Sequence, residues 1–284
     1  MEGLIGAREL KEKTSIVTDE ISQDLDEVTR FLDLYKIRAV EIRTLGGNRV
    51  PDIEKSEWTR LKKRVHNEGW EVVAVSPGIF KGDHEDKILS DRELTETLPK
   101  TIYLAHDIDP NYIISFGFMC QPGESINADV VERLKLASIL CANDGFPLLL
   151  ENEPGSFAQT GENTRAVIDA VGHPNLYANW DPCNANILGD SETLAKCARA
   201  LRDKILNVHV KDGIPRDDSE FPTYTTISSG KLGWKQHLKV LKEIGYKGYL
   251  GIETHMEPLW ESSEIILREL REIVSELDFW SGRL

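Results

Sequence analysis

The stretch Pro147-Leu148-Leu149-Leu150-Glu151-Asn152-Glu153-Pro154-Gly155 decides how this chain is read. Three consecutive leucines suit a strand buried on both faces, as in a parallel sheet. The carboxylate of Glu151 appears where the apolar run ends, and Pro154 and Gly155 stop the strand just after it. An acid at the tip of a buried strand is costly unless something pairs with it. Three later runs end in the same manner: one on Asp181, one with His209 near its end, and one on Glu253. The steps from Glu151 to Asp181, to His209 and to Glu253 are 30, 28 and 44 residues, each about one strand-plus-helix unit. Taken singly, a strand-end acid caps the next helix and a histidine in an apolar strand belongs to the core. Together, three carboxylates and an imidazole at successive strand ends describe one divalent-metal site.

Working outward, the same alternation fills the chain. Strands are expected at 15–20, 38–43, 71–77 and 112–118, and then in the stretches holding Glu151, Asp181, His209 and Glu253. The helices between them are expected from Asp24, then over 56–68, 93–106, 128–143, 162–171, 191–202, 232–244 and 262–277. Asp24-Leu25-Asp26-Glu27 opens the first with a capping-box pattern, and Leu25, Val28, Leu32 and Tyr35 share one face. Residues 1–13 read as a short extension or capping helix. Eight strands alternating with eight helices, in 284 residues without a second composition regime, give a single-domain (β/α)8 TIM barrel. An open doubly wound sheet is the competing architecture. In the barrel, the four metal-site strands form one wall and open on one face.

Composition narrows the function. A formal charge of -14 argues against nucleic acid or an anionic membrane as partner. Small anionic substrates stay open, since a local cationic pocket fits inside an acidic protein. Cys120, Cys141, Cys183 and Cys197 show no metal-finger spacing and read as free thiols of a cytoplasmic protein. No signal peptide and no membrane span is expected.

Three oxygen donors and one imidazole suit one Mn²⁺ first, with Mg²⁺, Co²⁺ or Zn²⁺ compatible. Side chains alternate along a strand, so Lys211 faces the same side as His209, one step nearer the mouth. It is a candidate for binding a substrate oxyanion, or it pairs with a neighbouring acid. His255 stands in the same relation to Glu253, and Glu153 to Glu151. Glu41 and Arg43, on the opposite wall, either grip sugar hydroxyls or pair with each other. Trp180 points away from the pocket, and His66, His106, His173 and His237 read as structural or exposed. The polar segment 213–233, with Arg216, Tyr224, Ser228, Ser229, Gly230 and Lys231, reads as a lid over the mouth, with Arg216 a candidate for substrate binding.

The motifs Leu150-Glu151-Asn152, Asn179-Trp180-Asp181, Val208-His209-Val210-Lys211-Asp212 and Gly251-Ile252-Glu253 resemble the xylose isomerase-like barrels, in particular the sugar phosphate isomerase/epimerase group. The resemblance runs from Thr18-Asp19-Glu20 to Glu253. It implies that Glu151, Asp181, His209 and Glu253 hold the metal and that Glu151 and Glu253 are the catalytic acid/base pair. It also implies a small carbohydrate substrate. Two positions depart from ketose 3-epimerases: Asn184 stands for a histidine and Phe157 for a glutamate. The endonuclease branch, with its histidine-rich metal cluster and DNA-binding face, does not fit seven histidines and this charge. The expected chemistry is proton transfer next to a carbonyl through an enediolate, by a metal-dependent isomerase or epimerase. Two alternatives stay open: a dehydratase or lyase acting on a keto-inositol or 3-keto-glycoside, and a metal-stabilised, non-catalytic sugar-binding subunit. Self-association into a homo-oligomer stays open as well.

Overall fold

In the computed structural model, which describes residues 12–185 and 189–281, the strands close on themselves. The barrel strands are β1 (Thr14–Val17), β2 (Ala39–Ile42), β3 (Glu71–Val75), β4 (Tyr112–Phe116), β5 (Leu148–Glu151), β6 (Leu176–Trp180), β7 (Ile205–Val210) and β8 (Tyr249–Ile252). They pair in parallel in chain order, and β8 pairs with β1 to close the ring. The order settles the choice between barrel and open sheet. An open sheet leaves two edges unpaired, whereas here each barrel strand has two neighbours. Most of residues 1–13, expected as an extension, lie outside the described residues.

The helices are α1 (Leu25–Tyr35), α2 (Lys55–Glu68), α3 (Lys87–Arg92), α4 (Leu98–Ala105), α5 (Ala128–Asn143), α6 (Gly161–Val171), α7 (Ser191–Leu201), α8 (Trp234–Glu243) and α9 (Leu259–Glu276). Side chains of Asp24, Asn127, Thr160 and Asp190 accept N–H bonds at the starts of α1, α5, α6 and α7. The helix expected to begin near Glu93 starts at Lys87 instead, where Asp86 caps it by accepting from Leu89 N–H. It reaches α4 through a π-helical turn at Glu93–Thr97, in which Leu98 N–H donates to Glu93 C=O. Pro99 explains the wider turn: it has no N–H, and its ring would clash with the carbonyl one α-helical turn before it.

A continuous apolar core fills the space between strands and helices; Trp180 and Trp234 are among its largest buried side chains. Trp180 points outward as expected, and its Nε1–H donates to His237 Nε2 on α8 at 3.1 Å. All four cysteines are unpaired. Among the described residues, no helix is long and apolar enough to cross a membrane.

The segment 213–233 is not an irregular loop. Asp212–Arg216 and Ser219–Thr225 pair as an antiparallel hairpin beyond the end of β7. Asp212 fastens its base: the buried carboxylate accepts from the N–H groups of Gly213 (2.7 Å), Lys231 (3.0 Å) and Leu232 (3.0 Å). Ser228, three residues past the return strand, is tied to α9 through Glu269.

Candidate metal centre

The C-terminal ends of β5 to β8 meet at one point. Glu151 is the last residue of β5, Asp181 follows β6, His209 is the penultimate residue of β7 and Glu253 follows β8. One ligand atom from each of these four buried residues lies within 4.8 Å of the other three. The expected quartet is therefore assembled by parallel strands ending at one level.

A polar lattice beneath the quartet orients it. Glu41 Oε2 lies 2.9 Å from His209 Nε2, leaving Nδ1 to face Glu151 Oε1 at 3.4 Å and Glu253 Oε2 at 3.3 Å. The other Glu41 oxygen accepts from Ser15 Oγ (2.9 Å) and Asn207 Nδ2 (3.1 Å). Asn207 also donates to Asn179 Oδ1, and Asn179 donates to Glu151 Oε2 at 3.0 Å. Gly251 makes room for this lattice: a Cβ there would stand 2.2 Å from Glu41 Oε1. Asn152 joins the tips of β5 and β6 by accepting from Asp181 N–H (2.8 Å) and donating to Asp181 C=O (2.7 Å).

Charge is balanced locally. Lys211 Nζ lies 2.7 Å from both Asp181 Oδ2 and Glu253 Oε2. Its backbone is held by Trp234, whose Nε1–H donates to Lys211 C=O. Arg43 joins Glu253 (2.5 Å), Glu20 (2.8 Å) and Asp19 (2.8 Å). Burial alone would raise the pKa of Glu253, but Lys211, His255 and His209 outweigh it and hold the group well below the usual carboxylate range. Burial is likewise outweighed at Glu151, chiefly by His209, so that carboxyl is lowered too. At Asp181 burial prevails over Lys211, and the pKa is raised. The carboxylates of Glu151, Glu253 and Glu41 overcome burial at His209 and raise the imidazole well above its ordinary value.

A divalent cation fits this donor set. Asp181 Oδ2 is enclosed and has no partner in hydrogen-bonding geometry; its 2.7 Å approach to Lys211 is a charge contact only. Such an oxygen, beside two further carboxylates and an imidazole fixed by a carboxylate behind it, is the arrangement expected of metal ligands. Glu20, Glu253 and His255 form a second close group, but the Arg43 guanidinium bridges its two acids.

The quartet opens into a cavity of about 380 Å³. Lys211, Glu41, Glu153 and His255 line it, as do Arg43, Arg49, Lys81, Asn184, Tyr224 and Phe221. Of the two expectations for Glu41, pairing with Arg43 is not seen; its oxygens are engaged with His209, Ser15 and Asn207, while it still lines the cavity. His255 is exposed at the cavity edge near Glu20 and Glu253, its ring against Tyr224 at 5.1 Å between centroids. Arg216 is not brought to the site: it pairs with Asp218 at 2.9 Å at the exposed turn of the hairpin and is not among the residues lining the cavity. Asn184 lines the cavity and donates from its backbone to Asp181 Oδ1 and from its amide to Glu153. Phe157 is buried against His84 and is not among the residues lining this cavity.

The sequence reading missed Arg49, Lys81 and the asparagine lattice. Arg49 follows the Gly46-Gly47 turn, which is a positional signal; the pairings of Asn179 and Asn207 carry none, since they join different strands.

A family model described as xylose isomerase-like TIM barrel matches residues 33–278. An uncharacterized protein of Methanocaldococcus jannaschii is 30% identical over 135 residues, 46% of this chain and 45% of that protein, so the match spans about half the length of the curated relative. Among solved structures, the IolI protein with a bound zinc atom superposes with a TM-score of 0.77 at 15% identity, over 93% of this chain and 98% of that one. An L-ribulose 3-epimerase superposes with a TM-score of 0.73 at 18% identity, over 96% and 99%. At these identities the two structures show a common fold. With its closed eight-strand ring and a family match running from α1 past α9, the chain belongs to the xylose isomerase-like TIM barrel family.

Proposed function

We propose that this protein is a divalent-metal-dependent isomerase or epimerase that moves a proton at the carbon next to the carbonyl of a sugar or sugar derivative. The observation that carries the reading is the pair Glu151 and Glu253, two carboxylates held ionised at the mouth of a 380 Å³ cavity, within reach of one imidazole and one further carboxylate. Glu151, Asp181, His209 and Glu253 would hold the ion, with Mn²⁺ first and Mg²⁺, Co²⁺ or Zn²⁺ compatible. Bound there, a divalent ion supplies the Lewis acidity that polarises a carbonyl and stabilises negative charge on its oxygen. The zinc of the structurally similar IolI protein and the sugar substrate named for the L-ribulose 3-epimerase support this choice.

The chain's own residues divide the remaining work. Glu151 faces one amide and one imidazole, while Glu253 faces Arg43, Lys211 and His255. Glu151 is therefore the more basic of the two and removes the proton; Glu253 stands at the other flank of the quartet and serves the opposite face. Lys211 donates to the substrate oxygen. Tyr224 and Phe221, on the hairpin, shield the cavity mouth from water. The four unpaired thiols fit a cytoplasmic setting.

One observation favours a second reading, elimination from a keto-cyclitol or 3-keto-glycoside. By the family resemblance, Asn184 and Phe157 stand where ketose 3-epimerases carry a histidine and a glutamate, which counts against a ketose 3-epimerase and keeps elimination open. The test is nuclear magnetic resonance of Mn²⁺- or Mg²⁺-loaded protein with keto-sugars and inososes in D2O. Deuterium entering next to the carbonyl with an epimerised product supports the first reading, and loss of water or of a glycosidic group supports the second. Loaded protein that binds these sugars yet exchanges no proton and releases no group on any of them supports the third reading, a metal-stabilised, non-catalytic sugar-binding subunit.

A further inference from the structure

Among the cationic side chains that line the cavity, Arg49 is the exception. Arg43, Lys81, Lys211, His209 and His255 each face a carboxylate within 4.0 Å. Arg49 has no such partner among the described residues. Its Nε donates to Ser76 C=O at 3.0 Å and its Nη2 to Ser76 Oγ at 3.1 Å. A guanidinium carries five N–H donors. Three of them, including both on Nη1, have no acceptor among the described residues.

The seat of this guanidinium is shaped for it. Arg49 lies at the end of the small Thr44–Leu45/Asn48–Arg49 hairpin that follows β2. Its fork rests on Gly78, where a Cβ would come within 2.8 Å of Cζ and Nε. Gly78 has φ +78, a conformation glycine adopts without strain. Ser76 thus fixes Nε and Nη2, and Arg49 lines the cavity with both Nη1 donors unspent among the described residues. Burial and the nearby Arg43 lower its pKa, outweighing the more distant carboxylates of Glu151, Asp19 and Glu253, none of which forms an ion pair with it.

We propose that Arg49 is the anion-binding residue of this active site and that the substrate is an acidic sugar derivative carrying a carboxylate or phosphate group. The inference rests on the sugar-directed reading above. The planar fork offers two parallel N–H donors, which match either group in a bidentate pair. The acidic surroundings of the quartet then hold the reacting end, and Arg49 fixes the other.

The test compares three probes by calorimetry on the Mn²⁺-loaded protein: D-fructose, D-fructose 6-phosphate and D-fructuronate. At least one anionic probe is expected to bind tenfold or more tighter than fructose; which of the two does so distinguishes phosphate from carboxylate. Arg49→Gln is expected to abolish that preference while fructose binding stays within about twofold. Ser76→Ala, which removes only one contact to the fork, is expected to weaken the anionic probe severalfold and leave fructose unchanged. The proposal is overturned if neither anionic probe binds tighter than fructose, or if Arg49→Gln weakens neutral and anionic probes equally. A separate Mn²⁺ titration keeps the two readings apart. If the ion fails to bind, the metal-dependent function falls, while the Arg49-dependent anion preference is still read on the metal-free protein.

Discussion

Glu41 Oε2 and His209 Nε2 meet at 2.9 Å inside the barrel, joining β2 to β7 and turning the imidazole's Nδ1 toward three carboxylates. A carboxylate behind a metal-binding histidine fixes its orientation, and its removal typically costs ~10–100-fold in metal affinity. Glu41→Gln is therefore expected to weaken Mn²⁺ binding by about that factor, measured by titration with electron paramagnetic resonance. An unchanged Mn²⁺ affinity in a folded variant would show that Glu41 serves the substrate and not the histidine.

His209→Ala is expected to remove metal binding and leave the barrel folded, because the strand pairings on both sides of β7 are backbone bonds. Elemental analysis after purification without chelator, beside the circular dichroism melt, checks this. Metal retained at one equivalent by the variant would place the ion elsewhere.

Glu151→Gln and Glu253→Gln keep the shape of each side chain and an oxygen donor but remove the base. Each is expected to lower turnover by ~10²–10⁴-fold. Loss of solvent exchange at the carbon next to the carbonyl is expected first in Glu151→Gln, since Glu151 has the fewer cationic neighbours. Exchange abolished in Glu253→Gln and kept in Glu151→Gln would reverse the two roles.

Stability should fall in mild acid through His237. Its pKa is lowered to about 4 by burial, against an ordinary value of 6.5. The unfolded chain thus binds a proton below about pH 6.5 that the folded chain refuses until about pH 4. Stability from the neutral imidazole is fully present above that window and is lost as pH falls through it, by up to about 3 kcal/mol. Urea unfolding between pH 8 and 4 measures the slope. His237→Gln retains an acceptor for Trp180 Nε1–H and should flatten the curve; an unchanged slope would assign the acid sensitivity to other groups.

The hairpin beyond β7 should respond to ligand. Phe221 is 44% exposed near its tip yet lines the cavity, and Arg216 offers trypsin a cleavage point there. Cleavage after Arg216 is expected to slow when a tight-binding sugar fills the site. Equal cutting at saturation would mean that the hairpin is a fixed wall.

The sequence by itself determined the barrel and its quartet, because both follow from local rules. Apolar runs of strand length, ended by Pro154-Gly155 or by an acid, repeat at one strand-plus-helix spacing, and parallel strands ending at one level must bring Glu151, Asp181, His209 and Glu253 together. The outward aim of Trp180 followed from alternation along β6. What only the tertiary structure decided depends on barrel closure and on turns. Arg43 reaches Glu253 across 210 positions of sequence, and Glu41 reaches His209 across 168. Neither pairing is visible until β8 docks on β1 and the ring shuts. Segment 213–233 read as a polar loop because its hairpin pairs with itself over the mouth, where half-exposed strands lack an apolar period. Arg49 carried no signal beyond its place after a glycine turn; it became a candidate anion-binding group only because Gly78, on another loop, leaves space for its guanidinium.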